Sequence, residues 1–598
     1  MKIDYAQAAL SHSWLHHPVI GDPSFDAFER FGPQPAYRSE PPFEWTVNGS
    51  MFRDPVSDYW FLYLGRYPYG YAVIPEAPSH AVVMRSIDKG RSWQMIGPVF
   101  DEKPFTFSGY QDPVSDAPDV AVIYAEGRYW LAYDWSNAGS TWEHAHAATP
   151  EHDAGAALAV ADRPEGPFQR LNRPIFANSQ LQGKLGRFDR LYATTVLRRQ
   201  QDWIAFLLCD SGPHFAWGYA VSTAPSPEGP WTFPRMILSP DTPDFYPAPV
   251  EFHPCFNVDG HVYAPATSVA RNRAYQALFK APLEAAHMPA AWEIHQAGSL
   301  FHRGLAESES DGIWGQTFHG FVHEGQLNIM YPSRDSRHFG TVQTAKAAWP
   351  LQQKDGFWLS DGVALLQVGY TAGQVSIDFA FRGEVRFFWD FHGVVGPNKA
   401  ASDACAVMDG MDLDRSVSWQ TQDWTAQTVT LSIASKDPAQ PGCLGFICEP
   451  GSLLHVSSCV IEGHPAPVTV YWSAIEALLN AGQNVRDHWS VAKTDQARSG
   501  LLATARQDKA CVKWSFEGSG FDLWLPRGPA LGIVAVQVDG LLVQSINLKS
   551  PVDQQSAVVM GMDLPAGRHA VMLMGEEGHL AADCLAVRHS IPAFLQST

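Results

Sequence analysis

Basic side chains are scarce and nowhere clustered: the 598 residues hold 42 Lys and Arg against 62 Asp and Glu, a formal net charge of −20. This argues against nucleic acid or an acidic membrane surface as the main partner, since each needs a basic footprint. Cysteine is scarce too, with eight in the chain and no C-x-x-C pair, which argues against a disulfide framework or a zinc site of usual spacing. No apolar run approaches the roughly 18 residues of a membrane helix. The opening "MKIDYAQAALSHSWLHHPVIGDPSF" lacks a basic n-region, an apolar h-region and a small-residue cleavage site, so the expectation is a cytoplasmic protein without a membrane partner. What is present is apolar: 45% hydrophobic and 12% aromatic residues against 17% charged. Such a chain folds, and it is too long for one core, so several domains are expected.

Self-similarity organises the first part. "VNGSMFRDPVSDYWFLYLGR", "APDVAVIYAEGRYWLAYDW", "FDRLYATTVLRRQQDWIAFLLCDS", "VEFHPCFNVDGHVYAPATS" and "WGQTFHGFVHEGQLNIMYPSRD" each read as an inner strand, a polar turn and an aromatic-rich second strand. Each is followed by a second hairpin, as in "GAALAVADRPEGPFQRLNRPIF" and "GYAVSTAPSPEGPWTFPRMIL". Four strands per unit make a propeller blade, and there are five units. Ser86, Asp88, Gly90 and Trp93 in "SIDKGRSW" match an Asp-box turn, read as a structural turn on the rim.

Beyond about residue 365 the pattern changes. Phe381–Gly383 and Phe516–Gly520 precede the turns Met408–Gly410 and Val538–Gly540 in two similar segments, and "SAIEALLNAG" is apolar at helix spacing between them. The fold class expected is all-β, a five-bladed β-propeller over residues 1–364 followed by two jelly-roll-like β-sandwiches, residues 365–475 and 476–598.

The segments "APDV", "FD" before a strand in the third unit, and the turns "EGPF" and "EGPW" resemble the five-bladed propeller glycoside hydrolases, above all family 43 and its relatives, over roughly residues 40 to 360. The last segment resembles the sandwiches, sometimes carbohydrate-binding, appended to such enzymes. The resemblance implies three carboxylates at the starts of inner strands: a base, an Asp that tunes the acid and orients substrate, and a Glu general acid. One carboxyl must be protonated to release the leaving oxygen while another stays ionised to activate water. Carried over by position, the acid falls on Glu251 and the tuning Asp on Asp189. Asp54 stands only five positions before Tyr59, whereas Asp119 stands ten before Tyr129. Asp54 is therefore assigned to a turn, Asn48 lies where the family carries its base, and Asp119 becomes a candidate base or substrate-holding carboxylate.

Further expected substrate contacts are Asn48, Trp135, Trp217, His253, Trp314, Gln316 and His319, polar groups for sugar hydroxyls and rings for sugar faces. The structural alternative for each histidine is a satisfied core imidazole. His144, His146 and His152 lack a zinc spacing and are read as part of a loop over the pocket. The reading requires no cofactor and leaves room for a structural calcium ion on the propeller axis. It expects an exo-acting glycoside hydrolase with an oligosaccharide substrate and no nucleic-acid or membrane partner. Asn48 motivates one alternative, a non-catalytic carbohydrate-binding propeller. Arg187, Arg190, Arg334 and Arg337 motivate another, a glycoside phosphorylase.

Overall fold

The computed structural model describes residues 2–4, 20–21, 29–31, 35–46, 49–68, 80–101, 104–111, 113–114, 119–137, 153–181, 184–185, 190–211, 216–238, 250–268, 275–296, 319–333, 340–351, 357–391, 394–395, 415–437, 439, 442–480, 489–506 and 510–589. The chain divides into two compact units, one of Ser24–Pro240 with Pro249–Gln352, the other of Met1–Pro23, Asp241–Ala248 and Gln353–Thr598.

The first unit is a five-bladed propeller. Each blade is an antiparallel sheet whose innermost strand comes first in sequence: Gly49–Arg53, Val120–Ala125, Arg190–Arg198, Val250–Phe252 with Phe256–Val258, and His319–His323. Inner strands of neighbouring blades lie side by side, the first beside the second and the fifth, the second beside the third. The apolar alternation read in the sequence is spent between blades. Phe61 and Tyr63 of blade one pack with Val122 and Leu131 of blade two, and Trp130 and Leu158 of blade two with Val196 and Trp203 of blade three.

Blade five is completed from the other end of the unit. Glu29–Arg30 and Tyr37–Arg38 pair antiparallel with Thr341–Ala348 as that blade's outer strands, Tyr37 opposite Val342. The Ser39 amide and hydroxyl both donate to the Gly340 carbonyl, at 2.7 and 2.9 Å. Tyr37 lies in one core with Met51, Trp60 and Leu62 of blade one and Met330 and Val342 of blade five. The ring is thus closed by hydrogen bonds and apolar packing at one seam.

The two faces of the ring differ in their connections. On one face the hairpins turn tightly at Glu126-Gly127, Asp259-Gly260 and Glu324-Gly325, each pair with both residues at positive φ, the backbone that two-residue hairpins demand. At the other end, where the inner strands begin, the strand ends that follow one another are far apart in sequence: Pro68 and His80, Ser136 and Ala154, and Gln296 and His319. The Asp-box is a structural turn on the tight face, as expected. Asp88 accepts from the Ser92 amide at 2.9 Å and the Ser86 hydroxyl at 2.7 Å, and Gly90 at φ +83° abuts the Trp60 ring, where a Cβ would stand 2.9 Å away.

In the second unit two long strands, Phe357–Phe391 and Cys443–Ala466, pair with each other, and Ser416–Ala434, Lys2–Asp4 and Ile20–Gly21 add to them. Val375, Ile377, Phe379, Phe446 and Leu454 form their core. A seven-stranded and a three-stranded sheet follow, sharing a core of Trp489, Ala503, Trp514, Leu523 and Val571. The expected helix forms at Ala474–Asn480, with Ile475 and Leu478 in that core.

Replacing the closing residue Tyr37 by alanine is expected to destabilise the propeller by about 3 kcal/mol, the cost of truncating a large buried aromatic. Denaturant unfolding followed by tryptophan fluorescence measures this; a loss under about 1 kcal/mol would contradict the closure role.

Candidate active site

Asp119 immediately precedes the inner strand of blade two and is half-buried. Its backbone is locked across the hairpin: its N–H donates to the Asp134 carboxylate at 2.8 Å, and the Asp134 N–H donates to its carbonyl at 3.2 Å. The Tyr67 hydroxyl, from the second strand of blade one, donates to the Asp119 carboxylate. Asp119 is thus tied through its backbone to its own blade and through its carboxylate to blade one, at the end of the ring where the inner strands begin.

Glu251 lies on the strand Val250–Phe252 of blade four, with its backbone opposite Thr267; its side chain is outside the described set. Asp189, Asn48, Trp314 and Gln316 are outside the described residues, as are His144, His146, His152, Arg187, Arg334 and Arg337. In sequence Asp189 directly precedes Arg190, the 1% exposed first residue of the blade-three inner strand. Trp217 lies on the strand Ala216–Ala224 opposite Asp210, its ring outside the described set.

The expected ring platform at Trp135 is corrected. Its side chain is 2% exposed and meets Phe107 and Tyr110 edge-on, with centroids 4.8 and 5.2 Å away, inside the core of blades one and two. The expected substrate role of the two histidines is corrected as well. His319 is 6% exposed; its Nδ1 accepts the Met51 N–H at 2.9 Å, and it makes a second hydrogen bond to the Cys255 backbone. The proton therefore sits on Nε2, and the ring pins blade five to blades one and four. Burial pushes its pKa down to about 4. His253 is 2% exposed, and burial together with neighbouring His319 pushes it down to about 3. Both are neutral structural imidazoles. Among the described residues no three His, Cys, Asp or Glu side chains gather as a metal site would need.

Asp54 is a turn residue. It is 2% exposed and accepts the Val56 and Ser57 amides at 3.1 and 2.9 Å, the Ser57 hydroxyl at 2.5 Å and the Tyr129 hydroxyl at 2.6 Å. Burial works to raise its pKa, but these donors outweigh it and hold the carboxyl below its usual range.

The sequence reading missed Tyr67, Asp134 and Asp153. Val120 pairs with Tyr133, so counting one step back across the hairpin would have set Asp134 opposite Asp119. Asp153 closes the base of the connection from Ser136 to Ala154. Its N–H donates to Asn137 Oδ1 at 2.5 Å, its carbonyl accepts the Asn137 N–H at 3.0 Å, and its carboxylate accepts the Ser179 hydroxyl and amide. Burial raises its pKa despite these bonds.

No family model matches the chain, and no curated protein matches it. Several solved structures are similar. A family 117 glycoside hydrolase from the marine bacterium Zobellia galactanivorans is 14% identical, with 54% of this chain and 90% of that one covered and a TM-score of 0.36. An endo-arabinase from Bacteroides thetaiotaomicron is 16% identical, covering 52% and 99%, with a TM-score of 0.34. An exo-β-1,3-galactanase from Phanerochaete chrysosporium is 9% identical, covering 91% and 96%, with a TM-score of 0.32. At such identities no residue of those proteins stands in for one of this chain.

The buried histidines predict how stability depends on pH. An imidazole titrates near 6.5 in the unfolded chain and at about 3 and about 4 here. Between those values the unfolded state binds more protons, so the stability from neutral burial is complete above about 6.5 and lost as pH falls, by up to about 1.4 kcal/mol per pH unit per histidine. Calorimetry should show the propeller transition falling from pH 7 to pH 5; an unchanged midpoint would contradict the assignment.

Proposed function

We propose that the propeller is a glycoside hydrolase that trims a terminal sugar from an oligosaccharide, with Glu251 as general acid, Asp189 tuning it, and Asp119 activating water. The observation that carries the reading is positional. Asp119 immediately precedes the inner strand of blade two, Glu251 lies on the first inner segment of blade four, and in sequence Asp189 directly precedes the inner strand of blade three. One of them, Asp119, accepts the Tyr67 hydroxyl at its carboxylate and donates its backbone N–H to the Asp134 carboxylate. A ring of inner strands brings such positions together around one axis, where a small ligand is enclosed.

The chemistry follows from two protonation states. The glycosidic oxygen takes a proton from the Glu251 carboxyl as its bond to the anomeric carbon breaks, and water attacks that carbon while Asp119 takes its proton. The products are the free sugar and the shortened alcohol. The number of residues between Pro68 and His80, between Ser136 and Ala154 and between Gln296 and His319 supports exo action, since long segments leave enough chain to enclose one end of the ring.

Sugar release from aryl glycosides and oligosaccharides tests this. On oligosaccharides and on aryl glycosides with poor leaving groups, folded Glu251→Gln and Asp189→Asn should each lose about a hundredfold or more in turnover. Tyr67→Phe, which leaves Asp119 without its hydroxyl donor, should lose roughly ten- to a hundredfold in kcat with a smaller change in KM. Unchanged activity in both acid variants would overturn the site. Turnover only with added phosphate would favour a phosphorylase, and saturable sugar binding without turnover a binding propeller.

A further inference from the structure

The inner strand of blade three, Arg190–Arg198, ends its sheet and among the described residues pairs only with Trp203–Ser211. Amides on its other edge therefore need acceptors from outside the sheet. Leu191 is fully buried, and its N–H donates to Asn178 Oδ1 at 2.8 Å. Asn178 belongs to blade two, where it follows the outer strand Phe176–Ala177 and opens the turn Asn178–Gln180. One side chain thus ties blade two to the neighbouring inner strand, two positions after Asp189 in sequence. Asn178 is 3% exposed, and among the described residues its Nδ2 has no acceptor. Burying an amide with one half unsatisfied is costly, so the bond to Leu191 accounts for asparagine at this position.

The turn is itself held by Asp153. Its Oδ1 accepts the Ala154 and Ser179 amides at 2.8 and 3.1 Å, its Oδ2 accepts the Ser179 hydroxyl, and the Asn178 backbone bonds to the same carboxylate. Gly155 lets the outer strand lie this close, since a Cβ there would collide with the Phe176 carbonyl oxygen. Asp153 is bonded in both directions to Asn137, three positions after the Asp134 that holds the Asp119 backbone. A continuous path through Asp134, Asn137, Asp153, the turn and Leu191 therefore joins the strand start beside Asp119 to the one beside Asp189.

We infer that Asn178 and Asp153 are positioning residues for the proposed reaction: they fix the start of the blade-three inner strand, and with it Asp189, against blade two and Asp119. The inference rests on the reading of Asp189 as the residue that tunes Glu251, and both residues act only through it.

Hydrogen exchange on the full chain reads the tether without reference to activity. Asn178→Ala should speed exchange of the amides at 190–193 by about tenfold or more, while Trp203–Ser211 exchanges as in wild type. On an oligosaccharide the same variant should lose about tenfold or more in kcat with KM changing by less than about threefold. The alkaline limb of its pH profile should move to lower pH, because a displaced Asp189 no longer helps to keep Glu251 protonated. In the Asp189→Asn background, Asn178→Ala should cost less than about twofold more, since it acts through that residue. Asp153→Ala should behave as Asn178→Ala does, and Asp153→Asn, which keeps Oδ1 for the two amides, should recover most of the loss. Calorimetry checks folding, and Asn178→Ala gives the readout should Asp153→Ala fail to fold. Unchanged exchange at 190–193 would overturn the tether, and faster exchange with kcat and pH profile unaltered would overturn its role in positioning the acid. A wild type without turnover would count against the hydrolase reading, and exchange would still decide whether Asn178 holds the strand start.

Discussion

The propeller depends on one seam. The inner strands can surround an axis only if the fifth blade is held to the first, and that is done by Glu29–Arg30 and Tyr37–Arg38 on Thr341–Ala348, with Tyr37 sealed into a core shared by the two blades. His319 works on the inner rim of the same junction, bonding to Met51 of blade one. Outer strands, interblade core and buried imidazole thus fix the ring at successive radii, and the strand starts that carry the acids inherit their placement from it.

Polar groups are then sorted by radius and by face. On the tight face carboxylates serve turns: Asp88 is bound by the amides and hydroxyls of its own hairpin, and Asp54 by those of its own turn together with the Tyr129 hydroxyl of blade two. At the end where the inner strands begin they are tied across elements, Asp119 between two blades and Asp153 across the base of a connection. His253 and His319, which could have competed as acids or ligands, are kept neutral by burial.

The blades were readable from sequence because their hairpins carry period-two alternation and three of them a two-residue turn of fixed chemistry, as at Glu126-Gly127. Counting residues was enough to send Asp54 to a turn. The seam was not readable, since two-residue pairings such as Glu29–Arg30 are too short to hold a pattern, and their partners lie about 300 residues away in sequence. Trp135 misled because a core indole and a sugar platform look alike in sequence when aromatics are abundant. His319 misled because a donor–acceptor ring suits backbone amides as well as sugar hydroxyls. Tyr67, which meets Asp119 from another blade, carries no local signal at all.

The central claim is that Glu251 delivers the proton to the leaving group, and the dependence of rate on leaving-group acidity measures that step alone. In Glu251→Gln, aryl glycosides with strongly acidic phenols need no protonation and should turn over within about tenfold of wild type, while those with poor leaving groups should fall by about a hundredfold or more. An equal loss across the whole series would contradict the assignment of Glu251 as the general acid.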